Sequence, residues 1–266
     1  MISKYILIIA GGLLVACSVS TNEQTKDAAS EEEIVFANPA GQNFNIAESD
    51  TMAIELADQV MMAMGGRQAW NDTRYLAWNF FGARKLLWDK QTGDVRIDFL
   101  MQEVKILMNV RNMEGRAWQE GKELTQVDSV EKYLKRGKSV WINDSYWLVM
   151  PFKLKDSGVT LKYSRADTTL SGQSSDVLTM TFQDVGDTPD NKYEVWIDQE
   201  SKLVTQWAYY GSYEDSVAAF TRPWGNYQQM GGILLSDDRG ERDLTDVRVL
   251  MDVPKGAFSE FEEVVL

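Results

Sequence analysis

The chain has 266 residues, 40 acidic and 27 basic, for a net charge of −13; so acidic a surface repels phosphate, which argues against nucleic acid and against anionic headgroups as partners. It contains no histidine and a single cysteine, Cys17, so Ser-His-Asp and Cys-His catalysis, imidazole-ligated zinc and an intrachain disulfide are excluded. A hydrophobic fraction of 44% with 9 Trp, 10 Tyr and 10 Phe is enough for a sizeable core in one domain of about 200 residues.

Lys4 followed by the apolar residues 5–15 has the layout of a secretory signal and is too short to span a bilayer. The run Leu13-Leu14-Val15-Ala16-Cys17 then places a small residue directly before the lone thiol. This resembles the lipobox of bacterial lipoproteins. The resemblance implies a signal at 1–16, cleavage before Cys17 and acylation of that cysteine, so that an N-terminal lipid anchor joins the protein to a membrane. An ordinary signal peptide with an incidental cysteine is the alternative. Durable anchoring takes more than one acyl chain, and lipoproteins of this kind carry more than one. Ser18 lacks the acidic residue that commonly retains them at the inner membrane, so the resemblance favours the outer membrane of a bacterial cell envelope. Residues 17–49 are poor in large apolar side chains and include Glu31-Glu32-Glu33, which predicts a flexible linker spanning about 30 Å.

The folded domain is expected over 50–266. Ser49 or Asp50 can cap a first helix in which Ala53, Leu56, Ala57, Val60, Met61 and Met64 recur at helical spacing, and Gly65-Gly66 offers its stop. From Thr73 the period becomes two. Segments 75–81, 84–88, 95–99 and 104–110 alternate between faces, with turns at 90–93 and 112–115, as in an antiparallel meander. A second helix opens at Asp128, with Glu131 at capping-box spacing, and carries Val130, Tyr133, Leu134, Val140, Trp141, Trp147 and Leu148 opposite a charged face; Pro151 ends it near Met150. Strands resume at 159–163, 177–182, 192–198 and 203–210, the last two joined by a turn at 199–202, and then at 217–222, 226–230, 233–235 and 243–251. Strand content should therefore exceed helix content, with mainly antiparallel pairing: a mainly β, α+β fold.

Three motifs are best explained without chemistry. Gly137-Lys138-Ser139 ends like a phosphate-binding loop, but the first glycine of that pattern would fall on Lys132, and the segment lies within an amphipathic helix. Asp184, Asp187, Asp190 and Glu194 lack the alternate-residue ligands and central glycine of a calcium loop, and read as an acidic connection between strands. Asp237-Asp238-Arg239-Gly240 reads as a turn. No metal site, cofactor or catalytic residue is expected.

The strings Tyr146-Trp147-Leu148-Val149-Met150-Pro151-Phe152-Lys153-Leu154-Lys155-Asp156, Tyr193-Glu194-Val195-Trp196-Ile197-Asp198 and Met230-Gly231-Gly232-Ile233-Leu234-Leu235 resemble the LolA/LolB-like lipoprotein-carrier superfamily and its uncharacterised lipoprotein branches. The similarity covers about 50–266. It implies a strongly curved, incomplete antiparallel barrel whose concave face is lidded by helices and receives acyl chains. A soluble carrier must move freely, whereas Cys17 would hold this chain at a membrane, in the manner of an anchored acceptor or sensor. The bulky helix faces suggest an apolar pocket formed by Met61, Met64, Tyr133, Trp141 and Trp147, together with Trp78, Phe80, Val95, Ile97 and Phe99 from the strands, although periodicity leaves open which strand face points inward. The expected function is non-catalytic binding of a lipid or acyl chain; the alternative is an interaction module of an envelope complex, with its barrel filled by its own side chains.

Overall fold

Alternation after Thr73 builds a run of short strands, each paired to the next. In the computed structural model, which describes residues 38–183 and 190–266, β1 (Tyr75–Phe80), β2 (Arg84–Asp89), β3 (Asp94–Phe99), β4 (Val104–Asn109), β5 (Gly115–Gln119) and β6 (Lys122–Glu123) form an antiparallel meander. The last strand, β14 (Leu244–Leu250), returns to pair with β1. A second sheet has the order β11-β10-β9-β8-β7, from β7 (Val159–Thr168), β8 (Ser174–Phe182), β9 (Lys192–Asp198), β10 (Val204–Tyr210) and β11 (Phe220–Pro223). The hairpin β12 (Gly225–Met230) and β13 (Ile233–Asp238) forms a third. The fold is thus mainly β with open, antiparallel curved sheets, as the periodicity predicts, and among the described residues it has three α-helices where the sequence predicts two.

Cross-strand register decides the question of faces that alternation left open. Leu76, Trp78 and Phe80 lie opposite Trp88, Leu86 and Arg84, which in turn face Val95, Ile97 and Phe99, and these face Met108, Ile106 and Val104. Apart from Trp88, the apolar members of this row are buried in one core cluster, which the inward rows of the second sheet share through Leu161, Leu178, Met180, Val195 and Trp207. The opposite face of the first sheet is covered by the C-terminal segment. Ala257 packs on Ala77 and Leu87 there, and the buried Arg96 donates to the carbonyls of Glu260 at 2.8 Å and Glu262 at 2.6 Å.

The first helix, α1 (Thr51–Ala63), follows the predicted apolar spacing, and Gly65 in the left-handed region (φ +109°) stops it. Asp50 is the capping residue by position, but its carboxylate is turned away from the helix amides and accepts from the Tyr163 amide at 2.9 Å. A short α2 (Gly66–Asp72) follows. Its seven residues are too few for a periodic signal. The folded body also begins earlier than the expected boundary at 50. Asn38 is buried and donates to Asp58 at 2.6 Å, Lys155 joins the same carboxylate at 2.6 Å, and the Gly41 amide reaches the Lys155 carbonyl at 2.7 Å. Residues 38–50 are thereby fixed by these hydrogen bonds together with Phe44, the one large apolar side chain of the segment that is buried in the main core.

The long helix α3 (Val127–Val149) ends before Pro151 as expected, although Gln126, not Asp128, holds the capping position and no side chain caps it. Gly137 sits where α3 crosses β4: a β-carbon there would stand 2.8 Å from Met108 Sδ and 3.1 Å from Ile106 Cγ2. The glycine of the phosphate-loop look-alike therefore permits close helix–sheet approach. Gly137→Ala gains about 1 kcal/mol of helix propensity but overpacks the contact by about 1–3 kcal/mol. A net loss of stability of about 1 kcal/mol is expected on chemical denaturation, and a gain would contradict this account.

Candidate functional site

Because the first half of α3 lies close on β4 and β5, its second half runs out toward the second sheet and leaves a gap. That gap is a cavity of about 750 Å³. Its wall carries nine aromatic side chains: Trp141, Tyr146 and Trp147 from α3, Trp88 from β2, and Phe182, Tyr193, Trp207, Tyr209 and Phe220 from the second sheet. The rings support one another at fixed angles. Trp147 meets Trp207 edge-on with centroids 4.7 Å apart and stacks on Phe220 at 5.5 Å, Trp88 meets Trp141 at 5.3 Å, and Tyr146 lies 5.5 Å from Tyr193. Such rigid, ring-lined walls hold an apolar ligand with little loss of side-chain freedom.

The charges on the wall are paired among themselves. Arg84 occupies the otherwise apolar inward row of the first sheet between Phe80 and Phe99 and forms a bidentate pair with the fully buried Asp144 of α3, at 2.7 Å and 2.9 Å. Asn143 donates to the same carboxylate at 2.9 Å. Burial raises the Asp144 carboxyl above its usual range, against the pull of Arg84 and Asn143. Toward the rim, Lys153 pairs with Asp156.

Two buried donors on the wall have no partner, the indole N–H groups of Trp141 and Trp207. Burial also pushes the Tyr193 phenol up to about 12 and the Tyr146 phenol well above its ordinary value. Above pH 10, where an unfolded tyrosine loses its proton, the folded protein still holds these two. Their contribution to stability is therefore complete below pH 10 and is lost as pH rises toward 12. Denaturation midpoints should fall across that interval, with phenolate absorbance of these residues appearing only as the protein unfolds. Early titration of all ten tyrosines in the folded state would contradict the burial.

Of the residues expected to form a pocket, Trp141 and Trp147 line the cavity. Met61, Met64, Trp78, Phe80, Val95, Ile97 and Phe99 point inward but are packed in the core, 0–6% exposed. Tyr133 lies half-buried against the core and donates to Gln119 at 2.7 Å, on the part of α3 nearer β5. The physical reason is the crossing of α3: where Gly137 lets it touch the sheet there is no space left between. Trp88, Tyr193, Trp207 and Phe220 were missed because alternation alone does not say which sheets face each other.

Arg239, read from sequence as part of a turn, is 1% exposed and donates to the Trp147 carbonyl at 2.7 Å and 3.2 Å, with its guanidinium 3.6 Å above the Trp224 ring. Burial lowers it to about 10. It fastens the C-terminal end of α3, and with it Trp147, to the third sheet. Glu194 of the acidic stretch is committed to Arg165 at 2.7 Å and to the Tyr210 hydroxyl at 2.9 Å; Asp184 and Asp187 lie outside the described residues, as does Cys17. Among the described residues no group of three or more carboxylates is gathered as for a metal, and no helix is long and apolar enough to cross a membrane.

The chain matches no protein-family profile and no curated protein sequence. Among solved structures it is similar to a DUF1329 family protein from Desulfovibrio piger, at 12% identity over 77% of this chain and 96% of that one, with a TM-score of 0.43. It is similar also to a LolA superfamily protein from Nitrosomonas europaea, at 11% identity over 78% of this chain and 97% of that one, with a TM-score of 0.39.

Proposed function

We propose that this protein is a non-catalytic binding protein of the bacterial cell envelope, tethered through acylated Cys17 at the outer membrane, that takes a lipid or acyl chain into the cavity between α3 and the second sheet. The observation that carries the reading is the cavity itself: about 750 Å³ with nine aromatic side chains on its wall, within the range of sites that hold small apolar ligands. Binding there draws on burial of apolar area and needs little directional chemistry. Native mass spectrometry of the protein purified from cells tests it, with co-purified lipid as the expected result. If the stripped protein shows no saturable binding of any acyl chain, the cavity is not a binding site and an interaction module takes its place. The tether is tested separately by Cys17→Ser, which should leave the protein unprocessed or unanchored. Wild-type recovery of that variant in membranes with its signal removed would refute acylation.

A further inference from the structure

Arg84 is only half used by its buried partner. It lines the cavity from the inward row of the first sheet, with its guanidinium carbon 4.8 Å from the centre of the Phe80 ring and 21% of its side chain exposed. A guanidinium carries five N–H groups in one plane, arranged so that two of its edges each match a pair of oxygens. Asp144 fills one such edge, through Nε at 2.7 Å and Nη2 at 2.9 Å. The other edge, Nη1 with the second N–H of Nη2, has no hydrogen-bond partner among the described residues. Unlike the unpartnered indole nitrogens of Trp78, Trp141, Trp207 and Trp224, Nη1 keeps accessible surface. The other cation of the wall, Lys153, is paired with Asp156, and with the two side chains 32% and 37% exposed water screens that pair.

Resting on the binding function above, we propose that the free edge of Arg84 receives the head of the ligand, that this head is an oxyanion with two free oxygens, a carboxylate or a phosphate, and that the chain lies along the aromatic wall. Two oxygens fit the free edge as the Asp144 carboxylate fits the first, and charge-assisted bonds of this kind are about twice as strong as bonds to a neutral carbonyl. The two cations and two carboxylates of the wall cancel, so no net local charge repels the head. Because the side chain of Arg84 is part-exposed, a second anion there stays in touch with water and escapes the full cost of burial that falls on Asp144.

Binding of four ligands with matched ten-carbon chains to the full chain at pH 8, followed by tryptophan fluorescence, tests the proposal: decanoate, decyl phosphate, methyl decanoate and decane. Decanoate, decyl phosphate or both should bind about tenfold or more tightly than the ester, and whichever of the two binds more tightly names the head. Arg84→Met with Asp144→Leu removes the guanidinium without stranding a charge; the preference for the oxyanion over the ester should vanish while decane still binds saturably. Asp144→Asn keeps Arg84 and removes its competing charge, so the preference should grow about three- to tenfold, a gain that damage to the fold does not produce. Equal affinity of the wild type for decanoate, decyl phosphate and the ester, a preference that survives in the double variant, or one that shrinks in folded Asp144→Asn would overturn the proposal and leave the binding function standing. If none of the four binds, decane included, the binding function itself fails and the head-group site with it.

Discussion

Arg84→Ala is expected to lower the stability of the folded protein by about 3–5 kcal/mol, because it strands the Asp144 carboxylate in the interior without its partner. Asp144 is 0% exposed and receives both guanidinium bonds, at 2.7 Å and 2.9 Å, and Asn143 alone does not replace them. The pair also links β2 to α3 across 60 residues of sequence, so its loss frees the helix that forms one wall of the cavity. Replacing both members by apolar residues of similar size, as in Arg84→Met with Asp144→Leu, should recover most of the loss, since neither charge then remains to be desolvated. The lone Asp144 of the single variant has every reason to take up a proton. That variant should therefore gain stability as pH falls through its raised pKa and lose it as pH rises. Urea denaturation followed by tryptophan fluorescence reads all of this. A cost below about 1 kcal/mol for the single variant, in the range of exposed pairs, would show that the pair is solvated.

Met64→Ala should cost about 2–5 kcal/mol with ligand affinity changed less than twofold, whereas Trp147→Ala should cost about 3–5 kcal/mol and alter affinity as well. Met64 is 1% exposed within the main core and is not on the cavity wall, so truncating it leaves a void elsewhere. Trp147 touches Phe80, Phe81, Trp207 and Phe220, and removing its ring merges packed volume with the cavity. Denaturation curves and titration with a fluorescent fatty acid, on both variants, separate the two cases. A large affinity change in Met64→Ala with little loss of stability would place the ligand under α1 instead.

Much of the fold was legible because it is local. Period two predicted β1 to β4 and β7 to β10 within a few residues, and the glycine pair and Pro151 marked the ends of α1 and α3, since strand alternation, left-handed glycine and the prolyl ring act over a few residues. Elements too short to carry a period were not legible: α2, β5 and β6 gain their stability from what they pack against. Residues 38–50 look like linker by composition and are ordered by contacts with Asp58, Lys155 and Val159, none of which is near in sequence.

The candidate site divides in the same way. The sequence by itself determined that α3 carries Trp141 and Trp147 on an apolar face, that Trp78, Ile97 and their neighbours alternate with polar residues, and that histidine chemistry is absent. Only the tertiary structure decided which of those faces meets a wall and which meets a void. Gly137 brings half of α3 onto the sheet, Arg239 fixes the end of the helix, and Arg84 finds Asp144 across the space between. Each of these depends on residues far apart in the chain, and the position of a gap between elements is set by how closely they approach, a quantity that no single segment encodes.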